Sequence, residues 1–129
     1  MGYRSALEAA GAVVRDFKKF GSYSGDWWAF LGNGKFIHGS YGSCSDCDAF
    51  EAEFDWDGAS CDLHYEFQED CVDCQEAMDN YERRMADFGR SYLHHDFTQE
   101  EAEAYAEKDL SWDLHAQEML DWIISKRGR

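Results

Sequence analysis

Two Cys-x-x-Cys pairs constrain the fold of this chain more than any other feature of its sequence. The pairs are Cys44/Cys47 and Cys71/Cys74, and 23 residues lie between them. Two such pairs at this distance are a common way to hold one tetrahedral zinc ion through four thiolates. The first pair follows a predicted strand in a tight turn, and the second lies at the start of a predicted helix. The spacing therefore predicts a structural zinc knuckle that joins the end of a hairpin to a helix.

Alternatives to this four-cysteine site remain open. Cys61 and His64 have the same spacing, but residues i and i+3 of a strand point to opposite faces, so we expect Cys61 in the core and His64 in solvent. A metal site that uses His64, His38 or Cys61 is one alternative. Thiols that are only packed or weakly redox-active are another. The odd number of cysteines and an intracellular location favour a metal over disulfides.

Alternating apolar and polar residues predict strands in the first half of the chain. Residues 26–31 and 36–41 are two of them, joined by Gly32-Asn33-Gly34-Lys35. Asn-Gly is a strong hairpin signal, because both central residues must accept a positive φ. Residues 50–56 and 61–67 are two further predicted strands. Before all of these, residues 5–20 have the apolar spacing of an amphipathic helix that ends at Gly21.

Apolar residues at spacings of three and four predict helices in the second half of the chain. One covers residues 70–88, and Gly89 either ends it or lets it continue to Leu93. Thr98 and Glu101 have the pattern of a capping box that opens the next helix. Ser111 is the predicted cap of the last helix. The buried stripe of that helix is predicted to be Trp112, Ala116, Met119, Leu120 and Ile123.

These patterns together predict one α+β domain over residues 1–129. Its sheet is a small antiparallel meander of about four strands, with one face buried and the other in solvent. Three or four helices pack against the buried face.

Charge is the second informative property of the sequence. The net charge is −15, and residues 36–125 contain 24 acids but only four bases. Such a field repels nucleic acid and anionic membranes and attracts basic surfaces. The chain has no apolar run near 18 residues, so we expect no membrane-spanning segment. Its start has the pattern of an amphipathic helix rather than a signal peptide, which predicts a cytoplasmic protein.

The acids form a regular row on one predicted strand. Residues 50–56 place Glu51, Glu53, Asp55 and Asp57 on one face, each about 6.6–6.8 Å from the next, which is close to the spacing of phosphates along a nucleic-acid strand. Further acids are expected to extend this surface, at Asp62, Glu66, Asp70 and Asp73.

Trp27 and Trp28 are adjacent, so one of them is expected in the core and the other exposed as a partner anchor, with Trp27 the candidate. Burial of both under helices is the alternative.

Catalytic chemistry has weak support in the sequence. Residues 53–58 resemble the opening of a calcium-binding loop, but the twelfth position is His64 where a bidentate Glu is needed. His94-His95-Asp96 is typical of a solvated loop. The chain has no phosphate-binding glycine loop, nucleophile elbow or HExxH motif. A thiol oxidoreductase would need a βαβ context, and Asp70 and Asp73 would raise the thiol pKa values rather than lower them.

Several segments resemble those of small uncharacterised bacteriophage proteins: GSYSGDWWAF, GSYGSCSDCDAFEAEF, FGRSYL and TQEEAEAYAEKDLSWDLHAQEMLDWI. The resemblance implies a phage accessory protein of the anti-CRISPR or anti-restriction kind. We therefore expect a non-enzymatic inhibitor that mimics nucleic acid, binds no nucleic acid itself, and contacts a basic nucleic-acid-binding protein or nuclease complex in the cytoplasm of a host bacterium. A zinc-stabilised accessory domain with an unrelated protein partner is the first alternative, and a thiol- or metal-dependent enzyme is the second.

Overall fold

The computed structural model describes residues 2–21, 25–42, 68–111 and 115–128. Within these ranges the chain forms four helices and three strands, and it belongs to the predicted α+β class. In chain order the elements are α1 (Tyr3–Ala9), β1 (Val14–Gly21), β2 (Gly25–Leu31), β3 (Phe36–Tyr41), α2 (Val72–Leu93), α3 (Gln99–Lys108) and α4 (Ala116–Ile124). The predicted strands at residues 50–56 and 61–67 lie outside the described ranges, as does the first cysteine pair of the predicted knuckle.

The described strands form an antiparallel meander in the order β1-β2-β3. The predicted hairpin turn joins β2 to β3: Gly34 N–H donates to the Leu31 carbonyl at 3.0 Å, and Leu31 N–H donates to the Lys35 carbonyl at 2.9 Å. Gly34 has a φ of 83°, whereas Asn33 does not have a positive φ. The turn is therefore a three-residue loop closed by a left-handed glycine, rather than the two-residue turn in which both central residues have positive φ.

The predicted helix over residues 5–20 is wrong in its second half. Helix α1 ends at Ala9, Gly11 has a φ of 98°, and strand β1 begins at Val14. A β-bulge between Val14 and Asp16 explains the misleading pattern. The extra residue in the bulge places Val14 and Phe17 on the same face of the sheet, although they are three residues apart. A bulged strand thus has the apolar spacing of a helix at this point.

Helices cover both faces of the sheet. On one face Phe20, Trp28, Phe30 and Phe36 pack against residues of α3 and α4. On the other face Trp27, Ala29, Leu31 and Ile37 form a cluster with α1, against which the aromatic residues of α2 pack. All residues from Trp27 to Leu31 are buried, so the prediction of a solvent-exposed face is wrong for this strand. The near-continuous apolar run of β2 is the pattern of a strand covered on both sides.

Helix α2 continues past Gly89 to Leu93, and a close approach to α1 explains why glycine stands at this position. A Cβ atom at Gly89 would overlap the carbonyl oxygen of Ala6. Cys74, Met85 and Gly89 are the fully buried positions of α2. Gly89 therefore marks the contact between the two helices and not the end of α2.

The C-terminal helices largely follow the prediction. Glu101 N–H donates to Thr98 Oγ1 at 3.2 Å and Thr98 N–H donates to Glu101 Oε1 at 3.0 Å, which confirms the capping box. Helix α4 buries Ala116, Met119, Leu120 and Ile123 as expected. The predicted cap at Ser111 is wrong, because α4 begins at Ala116 with His115 as its N-cap. Trp112 lies outside the described residues.

Candidate partner surface and cysteine pair

The second cysteine pair lies at the start of α2, where the sequence places it. Cys71 is the N-cap of the helix and is half-buried, whereas Cys74 lies in the first turn and is fully buried. Cys71 N–H donates to the Gln68 carbonyl at 3.1 Å, so a turn leads directly into the helix. The backbone at this pair is therefore a turn followed by a helix start, an order of elements from which two thiolates can be presented to one metal ion.

The other predicted ligands, Cys44 and Cys47, lie outside the described residues. Across the described ranges, no three His, Cys, Asp or Glu side chains come close enough to hold a metal ion. The four-thiolate zinc site therefore stays a prediction, and of its four ligands the structure describes Cys71 and Cys74.

His38, one of the alternative metal ligands, is engaged on the sheet. Its Nε2 atom is 2.8 Å from Asp26 Oδ1 in a hydrogen bond. Its ring lies between Trp28 and Tyr105, with a centroid distance of 4.7 Å to each. Burial is the main cause of the raised pKa of Tyr105, and the negative charges of Asp26 and Asp109 raise this pKa further. No local sequence pattern indicates this cluster, because only the strand register brings Asp26 and His38 onto one face as diagonal neighbours.

The predicted partner residues Asp70 and Asp73 are exposed at the beginning of α2. Further exposed acids follow Asp73 at intervals of three, at Glu76, Asp79 and Glu82. We call Asp73, Glu76, Asp79 and Glu82 the acidic row. Each step along it advances about 4.5 Å in the direction of the helix axis and turns about 60° around it, so the row winds across the exposed half of α2 and Asp73 and Glu82 lie about 180° apart. The remaining predicted contacts lie outside the described residues: Glu51, Glu53, Asp55, Asp57, Asp62 and Glu66.

Helix stability explains only part of the acidic row. Asp73 lies in the first turn, where a carboxylate interacts favourably with the helix dipole. Asp79 and Glu82 lie beyond that turn, and like charges three residues apart repel each other. Within the helix, Arg83 lies four residues after Asp79 and can offset part of this repulsion, whereas no Lys or Arg precedes it from residue 36 to residue 82. The first half of α2 therefore carries only negative charge, whereas its second half, with Arg83, Arg84 and Arg90, is of mixed charge.

Trp27 corrects the prediction of an exposed aromatic anchor. The side chain is fully buried. It stacks between Tyr3 and Phe17, with ring centroids 4.9 Å and 5.5 Å away. A Cβ atom at Gly39 on the neighbouring strand would lie 2.5 Å from the Trp27 ring. The alternative, in which helices cover both tryptophans, is the correct one, because α1 and α2 cover the face that holds Trp27.

No protein-family model, curated protein or solved structure matches this chain. In the described ranges, no helix has both the length and the apolar character needed to cross a bilayer.

Proposed function

We propose that this chain is a non-enzymatic inhibitor of the phage anti-defence kind, which binds a basic, nucleic-acid-handling host protein through an acidic surface. The observation that supports the proposal is the acidic row. Its four carboxylates are exposed, and within the described part of the chain none of them is in an ion pair. Carboxylates that are not neutralised internally remain available to a basic partner.

The predicted strand acids would enlarge this surface. On the predicted strand over residues 50–56, Glu51, Glu53 and Asp55 would present carboxylates at phosphate-like spacing. A partner whose groove is lined by Lys and Arg to hold a nucleic-acid backbone would then meet charges of the right sign and periodicity. Contacts between exposed charges are screened over about 10 Å at 0.1 M salt, so binding should weaken steeply as salt increases.

Binding and inhibition by matched charge variants test the proposal. Glu76→Gln, Asp79→Asn and Glu82→Gln together remove three charges from the acidic row. Glu100→Gln, Glu107→Gln and Glu118→Gln remove three charges from exposed positions on α3 and α4. The measurement is affinity for, and inhibition of, a nuclease or DNA-binding protein recovered from a bacterial lysate by pull-down at low and high salt.

We expect the acidic-row variant to lose about tenfold or more in affinity and the matched variant to lose little, because exposed ion pairs contribute about 0.2–1 kcal/mol each. Equal losses in the two variants would mean that only the net charge matters, and the proposal would be wrong. Charge reversal at Glu51, Glu53 and Asp55 extends the same test to the predicted strand. Unchanged inhibition after that reversal would exclude the strand from the contact.

A zinc-stabilised accessory domain with an unrelated protein partner is the second candidate. The observation that favours it is the position of Cys71 and Cys74 at the start of α2. Bound zinc would supply structural stabilisation, with the four thiolates of Cys44, Cys47, Cys71 and Cys74 as its ligands. The acidic surface would then serve solubility alone, and both charge variants would bind the partner as the wild type does.

A further inference from the structure

Strand β1 carries basic side chains that neither the acidic surface nor the predicted zinc site explains. Arg15, Lys18 and Lys19 are exposed, and each cation lies over an aromatic ring of the core. The distances from cation to ring centroid are 5.2 Å from Arg15 to Phe30, 5.4 Å from Lys18 to Phe20, and 4.9 Å from Lys19 to Tyr41. We call Arg15, Lys18 and Lys19 the cationic edge.

These cations, like Lys35, Arg83 and Lys108, are in no ion pair within the described residues, whereas other basic residues are paired. In the described ranges, Arg90 pairs with Asp87, Lys126 with Asp16, and Arg127 with Glu103. Over those same ranges, no carboxylate lies within salt-bridge distance of the cationic edge. This is unexpected in a chain with 27 acids and 12 bases. The aromatic rings hold the three charges in place without neutralising them.

The shape of β1 arranges the three charges around one strand. Lys18 and Lys19 are adjacent and therefore lie on opposite faces of the sheet. The bulge between Val14 and Asp16 turns Arg15 towards Phe30, which lies on the same face as Lys18. Among the described strands, β1 is at the edge of the sheet, with β2 on one side. An extended segment that runs along β1 would therefore meet Arg15 and Lys18 on one side and Lys19 on the other. Asp16, which lies between Arg15 and Lys18, is already paired with Lys126.

We propose that the cationic edge docks an extended acidic segment of a partner protein. Charge complementarity selects acidic side chains, and an extended backbone allows successive carboxylates to reach Lys18 and Lys19 on the two faces. A nucleic acid fits less well, because its phosphates continue beyond three cations and meet a chain of net charge −15. Pairing of β1 with β1 of a second copy would bring the cations of the two copies together, which is unfavourable.

The test is an NMR titration of the wild-type protein with a synthetic peptide of two Glu-Glu-Thr-Thr repeats, which places Glu on both faces of an extended chain. A Gln-Gln-Thr-Thr peptide of the same length is the control. The variant Arg15→Gln, Lys18→Gln, Lys19→Gln removes the cationic edge. The matched variant Arg83→Gln, Arg90→Gln, Lys108→Gln removes three exposed bases from α2 and α3. A thymidine octanucleotide tests the competing class of ligand. This design needs no knowledge of the target of the acidic row, and its outcome is independent of the function proposed above.

We expect the Glu-Glu-Thr-Thr peptide to shift the backbone amide signals of β1 in a salt-dependent way, and the Gln-Gln-Thr-Thr peptide to leave them unchanged. The cationic-edge variant should bind about tenfold more weakly, and the matched variant should bind within about twofold of the wild type. If the cationic-edge variant has a lowered melting temperature, the double variant Lys18→Met, Lys19→Met replaces it, because methionine keeps an unbranched side chain over each ring. This double variant should also bind the peptide more weakly than the wild type. Absence of β1 shifts at millimolar peptide, equal losses in both triple variants, or tighter binding of the oligonucleotide would each overturn the proposal.

Discussion

Gly39 and Gly89 are single positions at which the lack of a side chain allows two elements to touch. Gly39 on β3 makes room for the ring of Trp27, and Gly89 on α2 makes room for the backbone of α1. Neither has a positive φ. The reason for glycine at these two positions is therefore space and not backbone conformation, and a sequence pattern alone does not distinguish the two reasons.

Replacement of Gly89 by Ala tests the helix contact. Alanine is the better helix former by about 1 kcal/mol, so the change would stabilise an isolated helix. Here the added methyl group overlaps the Ala6 carbonyl oxygen, and we expect the free energy of unfolding to fall by about 2 kcal/mol. Urea denaturation measures the change. Gly2→Ala is the control, because an added Cβ there meets nothing within 4 Å; a stabilised Gly89→Ala protein would contradict the close contact.

Asp16 links β1 to the C-terminal end of α4. Lys126 Nζ donates to its Oδ2 atom, and Phe17 N–H donates to its Oδ1 atom at 2.9 Å. Burial alone would raise the pKa of Asp16. The hydrogen bonds from Lys126 and Phe17, the charge of Lys126 and a hydrogen bond with Trp122 outweigh that effect, and the pKa lies below its ordinary value of 3.8. The charged form of Asp16 is therefore favoured by folding.

The lowered pKa of Asp16 determines how the stability of the protein depends on pH. The contribution of Asp16 is fully present above the unfolded-state pKa near 3.8, and it is lost as the pH falls through the lower folded-state value. Asp16→Asn should destabilise the protein at pH 7 by about 1–2 kcal/mol, because it leaves the buried Lys126 without its carboxylate. The difference between wild type and variant should shrink as the pH falls from about 4 to about 2. Thermal melts across that range measure it, with the exposed Asp79→Asn as control, and a difference that stays constant would contradict the assignment.

At the scale of elements, α3 is the helix whose start the sequence predicts most completely. The Ser/Thr-x-x-Glu pattern needs contacts between neighbouring residues only, so no tertiary information is required to find it. Both reciprocal hydrogen bonds of Thr98 and Glu101 are present. The hydrogen bond from the Thr98 backbone is the main cause that lowers the pKa of Glu101.

Thr98→Ala should lower the free energy of unfolding by about 1 kcal/mol, because the change removes the side-chain oxygen that accepts from Glu101 N–H. Chemical denaturation followed by circular dichroism gives the difference. Thr98→Ser keeps the oxygen and should stay within about 0.3 kcal/mol of the wild type. An alanine variant as stable as the serine variant would show that the cap contributes nothing to the fold.

Element β1 shows where pattern reasoning fails. Val14 and Phe17 have helical spacing and also satisfy a bulged strand, and only the pairing of Phe17 with Ala29 distinguishes the two. The cations of β1 add to the ambiguity, because Arg15, Lys18 and Lys19 are equally suited to the polar face of a helix. Non-local hydrogen bonds to β2 decide the outcome, and no window of local sequence contains them.

At the scale of the whole molecule, the predicted zinc site would connect α2 to the segment after β3. Native mass spectrometry should find one zinc ion for each chain. Chelation should lower the melting temperature, because structural zinc contributes directly to folding. Cys71→Ser should abolish zinc binding, whereas Cys61→Ser should keep it if Cys61 is a core thiol as strand parity predicts. If the protein contains no metal and the chelator leaves its melting temperature unchanged, the zinc site is excluded. Loss of zinc binding in Cys61→Ser would indicate the alternative ligand set that includes Cys61.

The sequence by itself determined the α+β class, strands β2 and β3, the Asn33-Gly34 turn and the three C-terminal helices of the described chain. Each of these depends on local periodicity or on neighbouring residues. It also determined the acidic character of α2 and the position of Cys71 and Cys74 at the start of that helix.

Only the tertiary structure decided that β1 is a strand, that both faces of the sheet are covered and that Trp27 is buried. These outcomes depend on which elements meet in space. Helices α1 and α2 pack on one face of β2, and α3 and α4 pack on the other. The apolar stripe of each helix predicts that one side of the helix is buried, but it does not predict which face of the sheet the helix covers. Trp27 and Trp28 illustrate the reason: alternation places them on opposite faces, but whether a face meets water or a helix is a property of the assembled fold.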